Sequence, residues 1–209
     1  FDIIFTYIKC NLMDINIKNN LRKMLLESVD VPTKLYVFDF DDTLIRTPLP
    51  EKGRVIWQQF HGFPFPSKSE EEVEQNRKIT GWWGRKESLD METFDMPMVP
   101  EVKSAYDNIK NNPDVMKIML TGRRGKLSNE VRDILDHYGL DFDMYLYNNK
   151  SDTLPAKIDY LNDILSSNPS IVDVVLHDDR DEHIATFQAW GDGLVANGRL
   201  ENFTMNHIK

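Results

Sequence analysis

VFDFDDTL occupies residues 37–44. A run of apolar β-formers that begins at KLYVF ends there in three carboxylates, Asp39, Asp41 and Asp42. If the strand continued, Asp39 and Asp41 would share one face, where like charges repel. Folding alone gives no reason to place them so. The stretch therefore reads as the end of a buried strand that delivers acids to a site, and it implies a positively charged partner.

The rest of the chain repeats this design. Further apolar strands are predicted at 115–120 (VMKIML), 143–148 (DMYLYN), 171–178 (IVDVVLHD) and, shorter, 194–196 (LVA), beside the first at 34–39. Helical spacing is predicted over 16–29, 99–112, 127–139, 154–167 and 181–190. Gly139 stands just past the end of the third of these, Pro155 early in the fourth, and Gly191 at the end of the last. From residue 99 onward strands and helices alternate. That pattern predicts an α/β fold with a parallel five-stranded sheet and helices on both faces. Residues 47–100 carry most of the prolines and read as largely irregular, with short helical pieces. The expected organisation is an N-terminal extension with a helix (1–30) and one domain (31–209) with a cap-like insertion (46–98).

In open parallel sheets the ligand site lies beyond the carboxyl ends of the strands. The predicted ends here read Asp39 and Asp41, then Thr121-Gly122-Arg123, then Asn148-Asn149-Lys150, then Asp178-Asp179-Arg180. One acidic strand end is usually a turn or a cap. Two, with a Thr-Gly between them in chain order, point to a site. Several carboxylates on one edge are unfavourable without a cation. Oxygen-only donors suit Mg²⁺.

At these residues the sequence resembles the haloacid dehalogenase (HAD) superfamily of phosphotransferases. The first motif of that superfamily matches Asp39-Phe40-Asp41-Asp42-Thr43, the second Thr121, the third Lys157 in LPAKIDYL, and the fourth Asp178-Asp179. The four occur in order and span residues 34–197. TPLP at 47–50, Trp57, GWW at 81–83, DTLPAK and HDDRDEH further resemble the HAD domain of Swiss Army Knife RNA-repair-like proteins. The Asp-Asp-Arg run is also similar to the 3′-phosphatase domain of phage-type polynucleotide kinases, although Asp178 stands where many relatives have Glu.

The resemblance implies a three-layer, Rossmann-like HAD fold and a phosphorylated substrate. It implies Asp39 as a nucleophile that forms an aspartyl-phosphate. Asp41 becomes the general acid and base, with its backbone carbonyl on the metal and its side chain free. Thr121 holds phosphoryl oxygens, and Lys157 neutralises Asp39 and the phosphoryl group, with Lys150 as the competing candidate. Asp39, Asp41, Asp178 and Asp179 form the expected Mg²⁺ set. Asp42 reads as a turn residue. His177 and His183 read as structural or substrate-side rather than as a metal pair.

The insertion mixes Trp57, Phe60, Phe63, Phe65, Trp82 and Trp83 with Arg46, Lys52, Arg54, Arg77, Lys78, Arg85 and Lys86. This composition suits a cover that stacks a base and binds phosphates. It equally suits a small satellite core beneath a loop, which the acidic run at 69–74 favours. Arg46, Trp82, Trp83, Gly122 and Arg123 are the expected substrate contacts, and Arg123, Arg124 and Lys126 an expected basic rim. Adjacent in extended chain, Trp82 and Trp83 cannot both point inward.

Net charge is -9 and the pI about 5.0, which argues against a non-specific nucleic-acid coat or a membrane-surface protein. No apolar run approaches the length of a membrane span. The single cysteine, Cys10, excludes an internal disulfide and a Cys-based zinc site, and fits a reducing, cytoplasmic location. The leading expectation is a Mg²⁺-dependent phosphomonoester hydrolase acting on a nucleotide or a nucleic-acid end. The alternatives are a small-metabolite phosphatase and a non-catalytic HAD-fold subunit of a nucleic-acid repair assembly. Such a subunit would act with a partner kinase or ligase, and because no GxxxxGK loop occurs, any kinase activity would come from another chain.

Overall fold

The computed structural model describes residues 31–66 and 81–209. The predicted helix at 16–29 and the charged run at 69–74, with Arg77 and Lys78, lie outside the described residues.

In chain order the elements are β1 (Lys34–Phe38), α1 (Pro50–His61), α2 (Pro100–Ile109), β2 (Val115–Arg124), α3 (Ser128–His137), β3 (Met144–Asn148), α4 (Thr153–Ser167), β4 (Asp173–Asp178), α5 (Asp181–Ala196) and β5 (Asn202–His207). Short 3₁₀ turns lie at Trp82–Gly84, Lys86–Leu89 and Gly125–Leu127. The five strands form one sheet in the order β3-β2-β1-β4-β5, and every pairing is parallel.

Side-chain alternation along β1 assigns the layers. Leu35 and Val37 join Ile118, Leu120, Val174 and Leu176 on one face, under Leu161, Ile164 and Leu165 of α4 and Phe187 of α5. Phe38 and Met119 face the other way, under Val102, Tyr106 and Ile109 of α2 and Val131, Ile134 and Leu135 of α3. The sheet is thus covered on both faces, which is why its inner strands read as nearly continuous apolar runs. The result is the three-layer, Rossmann-like α/β fold that the sequence predicts.

β1 is central, with Phe38 level with Met119 on β2 and with His177 on β4. Its carboxyl end therefore opens between the ends of its two neighbours. Asp39, which donates its backbone N–H to the His177 carbonyl (3.0 Å), lies where those ends converge.

The fifth strand differs from expectation. Residues 194–196 are the last turn of α5, and β5 is the later stretch NFTMNH. Gly191 does not end the helix. It lets the helix approach β5, because a Cβ at that position would lie 2.1 Å from Cδ1 of Phe203. β5 is an edge strand whose alternate residues are polar, so it reads as loop. Gly191→Ala should force that ring or the helix aside, at roughly 1–3 kcal/mol. Chemical denaturation should show a lower midpoint, and an unchanged midpoint would mean that Phe203 has room to swing away.

The insertion also holds more structure than its prolines suggest. α1 is a three-turn helix with Pro50 at its start and Gly62 (φ 76) as its left-handed stop. Trp57, Trp82, Leu89, Phe94 and Met96 pack into the same core cluster as Phe38 and Phe40. Of the two readings of these aromatics, the core reading describes Trp57 and Trp82, and their core is continuous with the main one. Among the described residues, no helix is long and apolar enough to cross a membrane.

Candidate active site

Beyond Phe38 the chain stops behaving as a strand. Leu44 and Ile45 N–H groups bond back to the Phe40 carbonyl, and Asp42 N–H bonds to the Ile45 carbonyl (2.8 Å). Asp42 takes a left-handed conformation (φ 52), in keeping with its reading as a turn residue. The curl directs both Asp39 and Asp41 into one cavity of about 260 Å³. Asp42, Leu49, Trp83, Gly122, Arg123, Lys157, Asp179 and Arg180 also line it.

Lys157, in the second turn of α4, is buried, with Nζ 2.8 Å from Asp39 Oδ1 and 2.6 Å from Asp178 Oδ2. Lys150, its competitor, is exposed and pairs with Asp159 away from the acids. Asp178 is almost fully buried and also accepts the backbone N–H of Arg180 (3.0 Å). Burial pushes the Asp178 carboxyl up, but the Lys157 ammonium and these hydrogen bonds outweigh it and hold it at about 2. Asp39 goes the other way. Burial raises it well above the usual carboxylate range, Lys157 offsets only part of that, and Asp178 and Asp41 add to the rise. Asp179 is raised by burial and by Asp178. Asp42 is raised to about 6 by burial and then by Asp179 and Asp41.

The acids therefore exceed the cations around them. Oxygens of Asp39, Asp178 and Asp179 lie within 4.8 Å of one another. Asp39 Oδ1 is buried against the Lys157 ammonium, 2.8 Å away. Three carboxylates gathered around one ammonium, in an all-oxygen group, fit a hard divalent cation. The Asp41 side chain stands outside this group, so any ligation by Asp41 falls to its backbone carbonyl.

Asp41 is not free, contrary to expectation. Its Oδ1 accepts from Arg123 Nη2 (2.7 Å), Arg123 Nε (3.1 Å) and Thr47 Oγ1 (2.8 Å), and its Oδ2 accepts from Arg123 Nε (3.0 Å). Arg123 is correspondingly buried rather than part of a basic rim. Thr121 is buried and not among the residues that line the cavity, and its Oγ1 accepts the Arg123 N–H (3.1 Å). Gly122 lines the wall, where a Cβ would lie 3.0 Å from the Thr153 methyl group.

Two expected substrate contacts are elsewhere. Arg46 donates to the Asp42 and Lys209 carbonyls (3.0 and 2.7 Å), which ties the loop to the end of the described chain. Trp82 is 2 % exposed, with its indole N–H on the Pro48 carbonyl (2.9 Å). Trp83 is the outward member of the pair, 39 % exposed at the mouth. His177 is structural. It stacks on Phe38 at 4.7 Å, and burial pushes it down to about 4, so it is neutral at physiological pH. His183 is buried, with Nδ1 3.5 Å from Asp178 Oδ1. Thr47 and Ser88 were not expected at the site. TPLP carried the only signal for Thr47, and Ser88 had none.

The model of HAD domain family 1 in Swiss Army Knife RNA repair proteins matches residues 57–209, about three quarters of the chain. The chain belongs to that family. It is thus a member of the HAD superfamily. The match begins after β1, so Asp39 and Asp41 are identified by the sequence motif and by their position in the fold.

Three solved structures are similar to this HAD domain. One is a haloacid dehalogenase-like hydrolase from Streptococcus pneumoniae (12% identity, 83% of this chain and 93% of that one, TM-score 0.44). Another is the HAD domain of the effector protein Lem4 from Legionella pneumophila (15%, 86% and 87%, 0.45). The third is a HAD family hydrolase from Salmonella enterica serovar Typhi (13%, 94% and 79%, 0.47).

Proposed function

We propose that this HAD domain is a Mg²⁺-dependent phosphomonoester hydrolase that works through an aspartyl-phosphate, on a nucleotide or a nucleic-acid end. The observation that carries the reading is Lys157, buried between Asp39 and Asp178 beneath an open cavity. A structural ion pair needs one acid for one lysine. Here two acids share it, a third adjoins, and Asp39, Lys157 and Asp179 line the cavity at the sheet's carboxyl edge.

The carboxylates of Asp39, Asp178 and Asp179, with the Asp41 backbone carbonyl, would hold Mg²⁺, which supplies screening between an anionic phosphate and an anionic nucleophile. Asp39 attacks phosphorus and the ester P–O bond breaks. The leaving oxygen takes a proton from Asp41 Oδ2, the oxygen with fewer partners. In the second half Asp41 Oδ2 accepts a proton from water, whose oxygen attacks phosphorus. The P–O bond to Asp39 breaks and inorganic phosphate leaves. Lys157 balances charge on Asp39 throughout. The Gly122 and Arg123 backbone N–H groups are candidates to hold the phosphoryl oxygens, although the Arg123 N–H is committed to Thr121 Oγ1.

Two observations favour a nucleotide or nucleic-acid end over a sugar phosphate. The family takes its name from RNA repair proteins. Leu49 and Trp83, both exposed, give the mouth an apolar and aromatic wall on which a base can stack.

The test is phosphate release with Mg²⁺ from nucleoside monophosphates, 3′-phosphorylated oligonucleotides and sugar phosphates, before and after chelation. Higher kcat/KM for the first two classes, lost on chelation and regained with Mg²⁺, is expected. Preference for sugar phosphates would overturn the substrate class. Activity with Zn²⁺ but not Mg²⁺ would overturn the oxygen-donor argument.

A further inference from the structure

The segments TPLP and GWW take no part in the bond-breaking steps above, yet TPLP meets Asp41 directly and GWW meets it through Arg123. Thr47 donates to Asp41 Oδ1, and the Pro48 carbonyl receives the Trp82 indole N–H. That indole packs over Gly53 of α1, where a Cβ would lie 2.2 Å from the ring. The next residue, Trp83, faces Arg123 in two ways. Its carbonyl accepts from Arg123 Nη1 (3.2 Å), and its ring lies 5.1 Å from the guanidinium carbon.

Ser88 completes the arrangement. It is fully buried, and its Oγ donates to the Arg85 carbonyl (2.6 Å). A hydroxyl has one proton, so toward Arg123 the Ser88 oxygen acts only as acceptor, and it takes Nη1–H at 2.7 Å. The guanidinium is one rigid plane. Its Nε and Nη2 edge holds Asp41 while its Nη1 corner is held by Ser88 and Trp83, so a rotation at one side is a rotation at the other.

We propose that Ser88 is a positioning residue of the active site, which fixes the Arg123 guanidinium and through it the orientation of Asp41. The insertion then does more than cover the site: it sets which Asp41 oxygen faces the leaving group. Oδ1 is saturated by Arg123 and Thr47, and Oδ2, which accepts only from Arg123 Nε, keeps a lone pair for the proton. Loss of the Ser88 hydroxyl leaves Nη1 short of an acceptor and frees the plane to turn. The proposal rests on the reading of Asp41 as the acid, and the test separates the two.

Two substrates differ in their need for that acid. From 4-nitrophenyl phosphate the nitrophenolate leaves without a proton, whereas the alkoxide of a simple alkyl phosphate needs one. Comparing kcat/KM reports the first chemical step, with Mg²⁺ present and folding followed by melting curves. Asp41→Asn should lose roughly 10²–10⁴-fold on the alkyl phosphate and far less on the aryl one. Ser88→Ala should show the same asymmetry at smaller scale, roughly tenfold on the alkyl phosphate. Added to Asp41→Asn, it should cost nothing more. Equal losses on both substrates, or losses that add in the double variant, would show that Ser88 only packs the insertion and would overturn the proposal. Equal losses for Asp41→Asn would remove the acid reading itself, and the positioning role with it. If Ser88→Ala does not fold, Arg123→Lys replaces it under the same readings, because an ammonium cannot span Asp41, Trp83 and Ser88 as a fork does.

Discussion

Asp39→Asn is expected to leave a folded protein whose phosphate release falls by a factor on the order of 10⁴ or more, the scale on which loss of a covalent nucleophile acts. An amide cannot attack phosphorus to form an aspartyl-phosphate, and Asp39 is the carboxylate at the exit of the central strand. The fold should tolerate the change. Burial, together with Asp178 and Asp41, already raises the Asp39 carboxyl well above its ordinary range, so its ionised form is disfavoured where it stands. Lys157 keeps its second partner, Asp178, at 2.6 Å. In metal-free protein the variant should therefore melt no lower than wild type at neutral pH. Phosphate release and melting curves in chelator check both halves. Near wild-type turnover by the variant would end the covalent reading, and a large fall in melting temperature would show that Asp39 holds the fold through Lys157.

What the sequence made legible was set by contrast. β1, β2, β3 and β4 announce themselves because apolar runs stop abruptly at polar residues, and those stops are the sheet's carboxyl edge. β5 had no such contrast. As an edge strand it alternates Phe203 and Met205 with polar residues, and the glycine that admits Phe203 looks like a helix stop. The same limit applied at the site. The acids and Lys157 were legible because their types and order are unusual. Which of them were already satisfied was not, because the partners lie far apart in the chain. Arg123 meets Asp41 across 82 positions and Ser88 across 35. A basic residue beside a strand end looks like a rim until its partner is known. Trp82 and Trp83 mark the boundary of inference: that they point oppositely follows from their adjacency, but which faces inward depends on Pro48 and Gly53, far from them in sequence.

Lys157→Met should be the most destabilising of these changes and should reverse the Asp178 contribution to the pH response. In wild type the ammonium lies between Asp39 and Asp178, with side chains almost fully buried on both sides. Met fills a similar volume without charge, leaving buried carboxylates uncompensated, a loss of about 3–5 kcal/mol when one partner of a buried pair is removed. The sign follows from linkage. Asp178, held at about 2 in the folded wild type against an ordinary value of 3.8, contributes stability above about pH 4 that disappears as pH falls through 2. Without Lys157 its carboxyl rises above the unfolded value, as burial alone directs. The ionised form then weakens the fold, and stability is lost as pH rises toward neutrality. Asp178 should thus add stability to wild type between pH 2 and 4, whereas in the variant it should remove stability as pH rises above about 4, beyond the loss that the raised Asp39 and Asp42 give either protein. A divalent cation becomes the main counter-charge for the acid cluster, so Mg²⁺ should raise the melting temperature of the variant by more than that of wild type. Denaturation in chelator across this pH range, repeated with Mg²⁺ at pH 7, reads all three expectations. A variant with the wild-type pH profile would mean that solvent, and not Lys157, balances Asp39 and Asp178. A variant that Mg²⁺ does not stabilise would mean that Asp39, Asp178 and Asp179 do not hold the cation together.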